Sequence, residues 1–259
     1  MSHDVDWRRQ GAPLDHIIAR KDRFDSETIQ SIHLKNPYYN IPEYIYLEEK
    51  YNLRSTFFFR TFYENGDYRD YEKDIKTLCN GGWEIGLHCD PLSVNDSTKI
   101  KNEKNQLEEI TKNSIKANRS HYLNFNNKLP SILKSLGFLY DSSFKNSKDK
   151  ITREDTGFKI LDGIVEFPVT LMDAYIFTYM NIKEDKIVNL FRDAISFANK
   201  QNNEFNIITV IWHDNVLKMK GGRIYEKILE FLSTQEKVMV KKGIDLANII
   251  LERKTVFKQ

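Results

Sequence analysis

The sequence predicts an α/β protein in which parallel strands are covered by helices, of the barrel or doubly wound class. Two observations carry this. Apolar segments of strand length alternate with stretches of helical spacing along most of the chain, the signature of repeated β-α units. The chain also has 259 residues, 40% of them hydrophobic, enough to bury one large core, which predicts a single domain over residues 1–259.

The elements follow in order. The first expected strand covers residues 2–6, and an excursion over 8–40 follows, with Pro13, Pro37 and Tyr38-Tyr39 but no clear period. Apolar residues at helical spacing then mark residues 42–51, ahead of a strand at 55–59. A helix over 68–80 is closed by Gly81-Gly82 and leads into a strand at 83–88. A helix at 97–116 precedes a strand at 117–121, and a helix at 129–136 is stopped by Gly137 before a strand at 138–141. Residues 144–157, rich in Lys, Asp and Thr, read as an exposed loop. Strands at 164–169, 207–212 and 237–240, with helices at 184–201, 222–234 and 244–253, complete the pattern.

Composition excludes several roles. The 39 basic and 37 acidic residues give a net charge of +2 and are scattered, so nothing points to nucleic acid or an anionic membrane. No apolar run approaches the roughly 20 residues of a membrane span, and the start lacks a charged and then apolar leader pattern, so a cytoplasmic protein is expected. Cys79 and Cys89 are too few for a disulfide framework and match no zinc-knuckle spacing; both are read as free thiols, Cys79 in helix packing.

The chemistry is expected where strands end. Asp4 and Asp6 stand at i and i+2 of the first strand, so their carboxylates point the same way and can hold a metal or move a proton. His88, Arg119, His121, Asp141 and His213 each follow a different strand-like segment, and in parallel α/β folds working residues gather at that carboxyl edge. One histidine at a strand end is ordinarily a hydrogen-bonded structural residue. Several titratable groups at one rim are harder to assign to packing.

These segments resemble, in order, the motifs of the polysaccharide deacetylases that carry the NodB homology domain, carbohydrate esterase family 4. Ser2-His-Asp-Val-Asp is similar to the first motif, Arg54-Ser-Thr-Phe-Phe-Phe to the second strand, and Gly82-Trp-Glu-Ile-Gly-Leu-His to the family's Gly-His-Glu-Ile-Gly-x-His. Arg119-Ser-His-Tyr stands in the place of Arg-x-Pro-Tyr, Tyr140-Asp-Ser-Ser in that of Asp-x-Ser, and Ile211-Trp-His in that of Leu-x-His. Two departures stand out: Leu92 occupies the position of the family's second metal histidine, and Val5 separates two aspartates that are usually adjacent.

The resemblance implies a distorted (β/α) barrel of about seven strands and a metal-dependent hydrolase that removes an N-acetyl or similar acyl group from a sugar. It implies one divalent cation, zinc foremost, on Asp6 and His88. A catalytic zinc takes about three protein ligands, so with Leu92 in place His121 is the first candidate for the third and Asp90 the second. Asp4 is then the base, Arg119 its partner, His213 the acid that protonates the departing amine, and Asp141 the group that orients His213. The Tyr122 backbone N–H is a candidate oxyanion donor, and Tyr122 and Trp212 are candidate sugar-stacking rings. His3 alternates to the other face and is expected to be structural; His16 and His33 lie in the excursion without a motif. The expected substrate is an N-acylated sugar or oligosaccharide, in surface-polysaccharide or O-antigen assembly. Two rivals are a metal-free sugar-binding protein on the same fold and a metal hydrolase of another small amide.

Overall fold

The structure is a computed structural model that describes residues 1–63, 66–201 and 205–256. Its strands are β1 (Ser2–Val5), β2 (Thr56–Phe59), β3 (Phe62–Tyr63), β4 (Gly66–Asp67), β5 (Glu84–Cys89), β6 (Ala117–Ser120), β7 (Tyr140–Asp141), β8 (Lys159–Leu161), β9 (Ile164–Glu166), β10 (Val169–Met172) and β11 (Thr209–Ile211). β3 and β4 form a separate hairpin, and the other nine make one sheet in the order β10-β11-β1-β2-β5-β6-β7-β9-β8. Every pair in that sheet is parallel except β8 with β9. The helices are α1 (Leu14–Ile18), α2 (Ser26–Gln30), α3 (Ile41–Lys50), α4 (Glu72–Asn80), α5 (Ser97–Thr111), α6 (Leu129–Ser135), α7 (Asp173–Thr178), α8 (Ile187–Asn199), α9 (Tyr225–Ser233) and α10 (Gly243–Val256).

The sheet curls into a half-barrel. Its second strand from one edge, β9, and its opposite edge, β10, are joined only through Phe167-Pro168, and three residue steps reach no more than about 11 Å. The two edges must therefore lie close together. Phe167 N–H donates to the Asp141 carbonyl at 2.9 Å and Val169 N–H to that of Phe144 at 2.8 Å, stitching the crossing to β7 and the loop after it.

Strand parity decides what each face carries. Phe57, Phe58 and Phe59 in β2 are all buried, as expected for a strand covered on both sides. Phe57 and Phe59 pack into the large cluster under the outer helices, whereas Phe58 joins Ala117, Tyr140, Val165 and Phe167 beneath α10. Counting in steps of two along the concave face gives Asp4 after Ser2, Arg60 after Phe58, His88 after Gly86, and Arg119 and His121 after Ala117. This face is apolar toward α10 and polar toward the carboxyl rim.

Several expectations change. Residues 237–240 form no strand: β10 occupies the edge beside β11, and Val238 and Val240 pack onto the core as loop residues. The expected strand at 164–169 breaks at Pro168, which has no N–H for a ladder bond. β8 is an added strand, turned into β9 by Asp162 and Gly163 at φ 50° and 81°, an Asp-Gly hairpin signal. With these changes the sheet has nine strands, against the eight that the sequence pattern marks. The helix expected to reach 116 ends at Thr111, because Lys112 adopts a left-handed φ of 56°. α1, α2 and α7 also fall where no helix was expected. The stop signals at Gly82 and Gly137 sit at φ 88° and 78° directly after α4 and α6, as the sequence predicts.

Candidate active site

Parallel register sets the rim. Val5 pairs with Phe59 and Phe59 with Leu87, so the next residues along, Asp6, Arg60 and His88, stand abreast; His88 pairs with Arg119 in turn. On the other side Met172 pairs with Ile211, which brings Asp173 and His213 together just past their strand ends.

Asp6, His88 and His121 form a tight cluster whose possible ligand atoms lie within 4.8 Å of one another. The Asp6 Oδ1 stands 3.2 Å from His88 Nε2 and 3.6 Å from His121 Nε2. Two ligands held about 2.1 Å from one tetrahedral ion stand roughly 3.4 Å apart, so the donor types and spacing fit a single zinc-like cation. His88 Nδ1 lies 2.9 Å from the Arg119 carbonyl, which can only accept. Nδ1 is therefore the donor to that carbonyl, which leaves Nε2 as the nitrogen that faces Asp6 and could ligate a metal. Burial lowers the His121 pKa to about 4 despite Asp6, so this imidazole is neutral and able to ligate. Its Nδ1 is buried with no hydrogen-bond partner among the described residues.

The His121 turn is conformationally costly. Tyr122 and Leu123 both take left-handed φ values, 62° and 53°, each worth of order 1–3 kcal/mol in such a residue. The Tyr122 ring stacks on His121 at 3.9 Å, and Tyr122 remains 76% exposed. Leu92 is 81% exposed and takes no part in the cluster. Asp90 does not join it either, since its Oδ1 accepts from Leu92 N–H at 2.9 Å and its Oδ2 faces Arg60 at 3.8 Å.

Asp4 lies behind the cluster, its Oδ2 3.9 Å from His88 Nε2. Arg119 donates to Asp4 Oδ1 at 2.7 Å, to Ser2 Oγ at 2.8 Å, to the Ser142 carbonyl at 3.0 Å and to Ser142 Oγ at 2.8 Å. Burial pushes the Asp4 carboxyl up, yet Arg119 and the two nearby histidines outweigh it and hold the pKa below the usual value. A buried pair of this kind is expensive to break, by about 3–5 kcal/mol, because the survivor is left uncompensated.

His213 is held by Asp173, a residue the sequence reading missed. The Asp173 carboxylate accepts from His213 Nδ1 at 2.6 Å and from its backbone N–H at 2.8 Å. His213 Nε2 is 3.7 Å from Asp6 Oδ2, across the cluster. Burial pulls the imidazole pKa down, but Asp173, with Asp6 and Asp4, raises it to about 10, so it is protonated at neutral pH.

Two expected roles are corrected by parity. Asp141 alternates with Tyr140 and faces away from the concave side; it accepts from Asn118 Nδ2 at 2.8 Å and Ser143 Oγ at 2.7 Å, not from His213. Burial raises its pKa, and Glu166, paired with it across β7 and β9, is raised well above the ordinary value by burial and by Asp141. Trp212 is fully buried, its indole N–H donating to the Gly222 carbonyl, and packs on Phe177 and Tyr225, so it offers no ring to a sugar. His3 is structural, its ring nitrogens on the Trp212 carbonyl and Glu48. Asp173 could have been found by extending the strand past Pro168 to its carboxyl end, and Arg60 by the same rule after Phe59.

A parallel half-barrel with an Asp-His-His donor set at its carboxyl rim defines an α/β protein with a metal-competent centre. Its fold is that of the polysaccharide deacetylases, the NodB-like fold of carbohydrate esterase family 4. Similar structures include a chain from Mycobacterium smegmatis named as a polysaccharide deacetylase, with TM-score 0.68 and 19% identity over 98% of this chain and 90% of that one. The Puue allantoinase matches with TM-score 0.64 and 14% identity over 95% and 88% of the two chains. A mutant of a family 4 pseudoenzyme matches with TM-score 0.52 and 10% identity over 95% of this chain and 65% of that one. No protein-family model matches the sequence. No curated protein matches it either.

Proposed function

We propose that the chain is a metal-dependent hydrolase that removes an N-acetyl or similar acyl group from a sugar, acting as one catalytic domain over residues 1–259. The observation that carries this reading is the convergence of three functions at one rim. Asp6, His88 and His121 form the donor set, Asp4 sits beside it under Arg119, and His213 faces it from Asp173.

Asp6, His88 and His121 would hold the divalent cation, zinc in this proposal, which supplies carbonyl polarisation and a water of lowered pKa. Asp4, kept ionised by Arg119, takes a proton from the attacking water as general base. The backbone N–H of Tyr122, a residue that lines the cavity, donates to the developing oxyanion in this proposal. His213 is charged at neutral pH and gives its proton to the departing amine, while Asp173 fixes which ring nitrogen faces the site. The exposed Tyr122 ring lies along the same wall and gives a sugar a face to stack on.

The finer parts of the proposal, a cytoplasmic setting and a place in surface-polysaccharide or O-antigen assembly, rest on the sequence reading alone. Among the described residues no helix is long and apolar enough to cross a membrane. A second reading, hydrolysis of another small amide, is favoured by the allantoinase among the similar structures. Acetate release from a panel of N-acetylated nucleotide sugars, lipid-linked sugars and oligosaccharides tests the first against the second. The zinc-loaded protein is expected to release acetate, and His213→Ala to lower turnover by about 10²–10⁴-fold. A zinc-loaded chain that releases no acetate from any member would reject the sugar deacetylase reading.

A further inference from the structure

We propose that the cavity over the cluster takes an anionic substrate, and that Arg8 and Arg60 bind a phosphate or carboxylate group carried by the sugar. This deepens the hydrolase reading and rests on it for the identity of the sugar; the anion site itself rests on the two arginines.

The cavity measures about 550 Å³ and is lined by Asp6, Arg8, Arg60, His121 and Tyr122 among others, within the usual range for small-ligand pockets. Its two arginines are poorly matched by protein anions. Among the described residues, no hydrogen bond or ion pair engages the Arg8 side chain. Arg60 donates one long bond, 3.3 Å to the Asp6 carbonyl, and stands 3.8 Å from Asp90 Oδ2, while its Nε is buried without a partner. By contrast Arg9, Arg119 and Arg223 each hold a carboxylate at 2.9 Å or less.

The nearby acids are already engaged. Asp4 is held by Arg119, and Asp6 faces three imidazoles. A guanidinium is a rigid fork of donors suited to two oxygens of a carboxylate or phosphate. Two such forks lining one cavity with Asp6 and His121 of the cluster select for a substrate that carries negative charge as well as the acyl group.

Binding measured by calorimetry on chelator-treated protein separates this from turnover and excludes anion coordination to the metal. The probes are N-acetylglucosamine, its 1-phosphate and N-acetylglucosaminuronic acid. One anionic probe is expected to bind at least about tenfold more tightly than the neutral sugar, and the better of the two identifies the anion. Arg8→Gln and Arg60→Gln are each expected to remove most of that advantage, with Arg8→Lys retaining part of it. Equal binding of all three probes, binding of none, or an advantage that survives in the double variant overturns the proposal. Because the readout needs no hydrolysis, a failed acetate-release assay counts against the deacetylase reading and leaves this result to be judged separately.

Discussion

At the scale of single residues, the chemistry depends on how each titratable group is paired. His213 has Asp173 on Nδ1 at 2.6 Å and faces Asp6 with Nε2 at 3.7 Å, which keeps the ring charged and aims its outer nitrogen at the cluster. Replacing Asp173 by Asn keeps the size of the side chain and removes the charge. We expect kcat to fall by roughly 10²-fold, the lower end of what acid–base catalysis contributes. The protonated ring is the working acid and is lost as pH rises through about 10; without the carboxylate that alkaline limb moves to lower pH. A pH–rate profile reads the shift, and an unmoved limb would take Asp173 out of the control of His213. Asp4, Asp6, His88, His121 and Arg119 were legible in the sequence as positions because each lies at or near the carboxyl end of a strand that the pattern reveals. Strand-end position alone points to Asp141 as the partner of His213, but strand parity sends its side chain to the opposite face, onto Asn118 and Ser143.

At the scale of elements, strands covered on both sides were readable from continuous apolar runs such as Thr56-Phe-Phe-Phe. Short edge strands were not. β8, at one edge, has only three residues, all half-buried, too few to show a period, although Asp162-Gly163 marks the hairpin between β8 and β9. Pro168 hid β10 by ending the apolar run early, and Asp173 was lost with it. Close approach inside the sheet gives a sharper test of packing. A Cβ on Gly86 would stand 2.5 Å from the Phe58 ring and 3.0 Å from the Ala117 Cβ, so Gly86→Ala should cost about 1–3 kcal/mol through overpacking. The denaturant midpoint measures this, and no loss would mean that the concave face is looser there than the structure has it.

At the scale of the whole molecule, net charge hides what matters. The chain carries only +2 overall, and this near-balance gave no hint of a partner, yet two arginines with weak or no anionic partners line the cavity beside the cluster. Composition averages over the surface, whereas the fold concentrates charge, which is why the cluster was readable from strand ends while composition gave no sign of Arg8 and Arg60 beside it. The long excursion over 8–40 has no readable period; in the structure Arg8 and the run from Gln10 to Pro13 supply part of the cavity lining. The central claim is that Asp6, His88 and His121 share one ion. Anomalous diffraction at the zinc edge from zinc-loaded crystals tests it most directly. The account predicts one ion per chain within about 2.0–2.2 Å of all three side chains, and its loss in His121→Ala. An ion ligated by Asp90 in place of His121, or no ion at the rim, would contradict it.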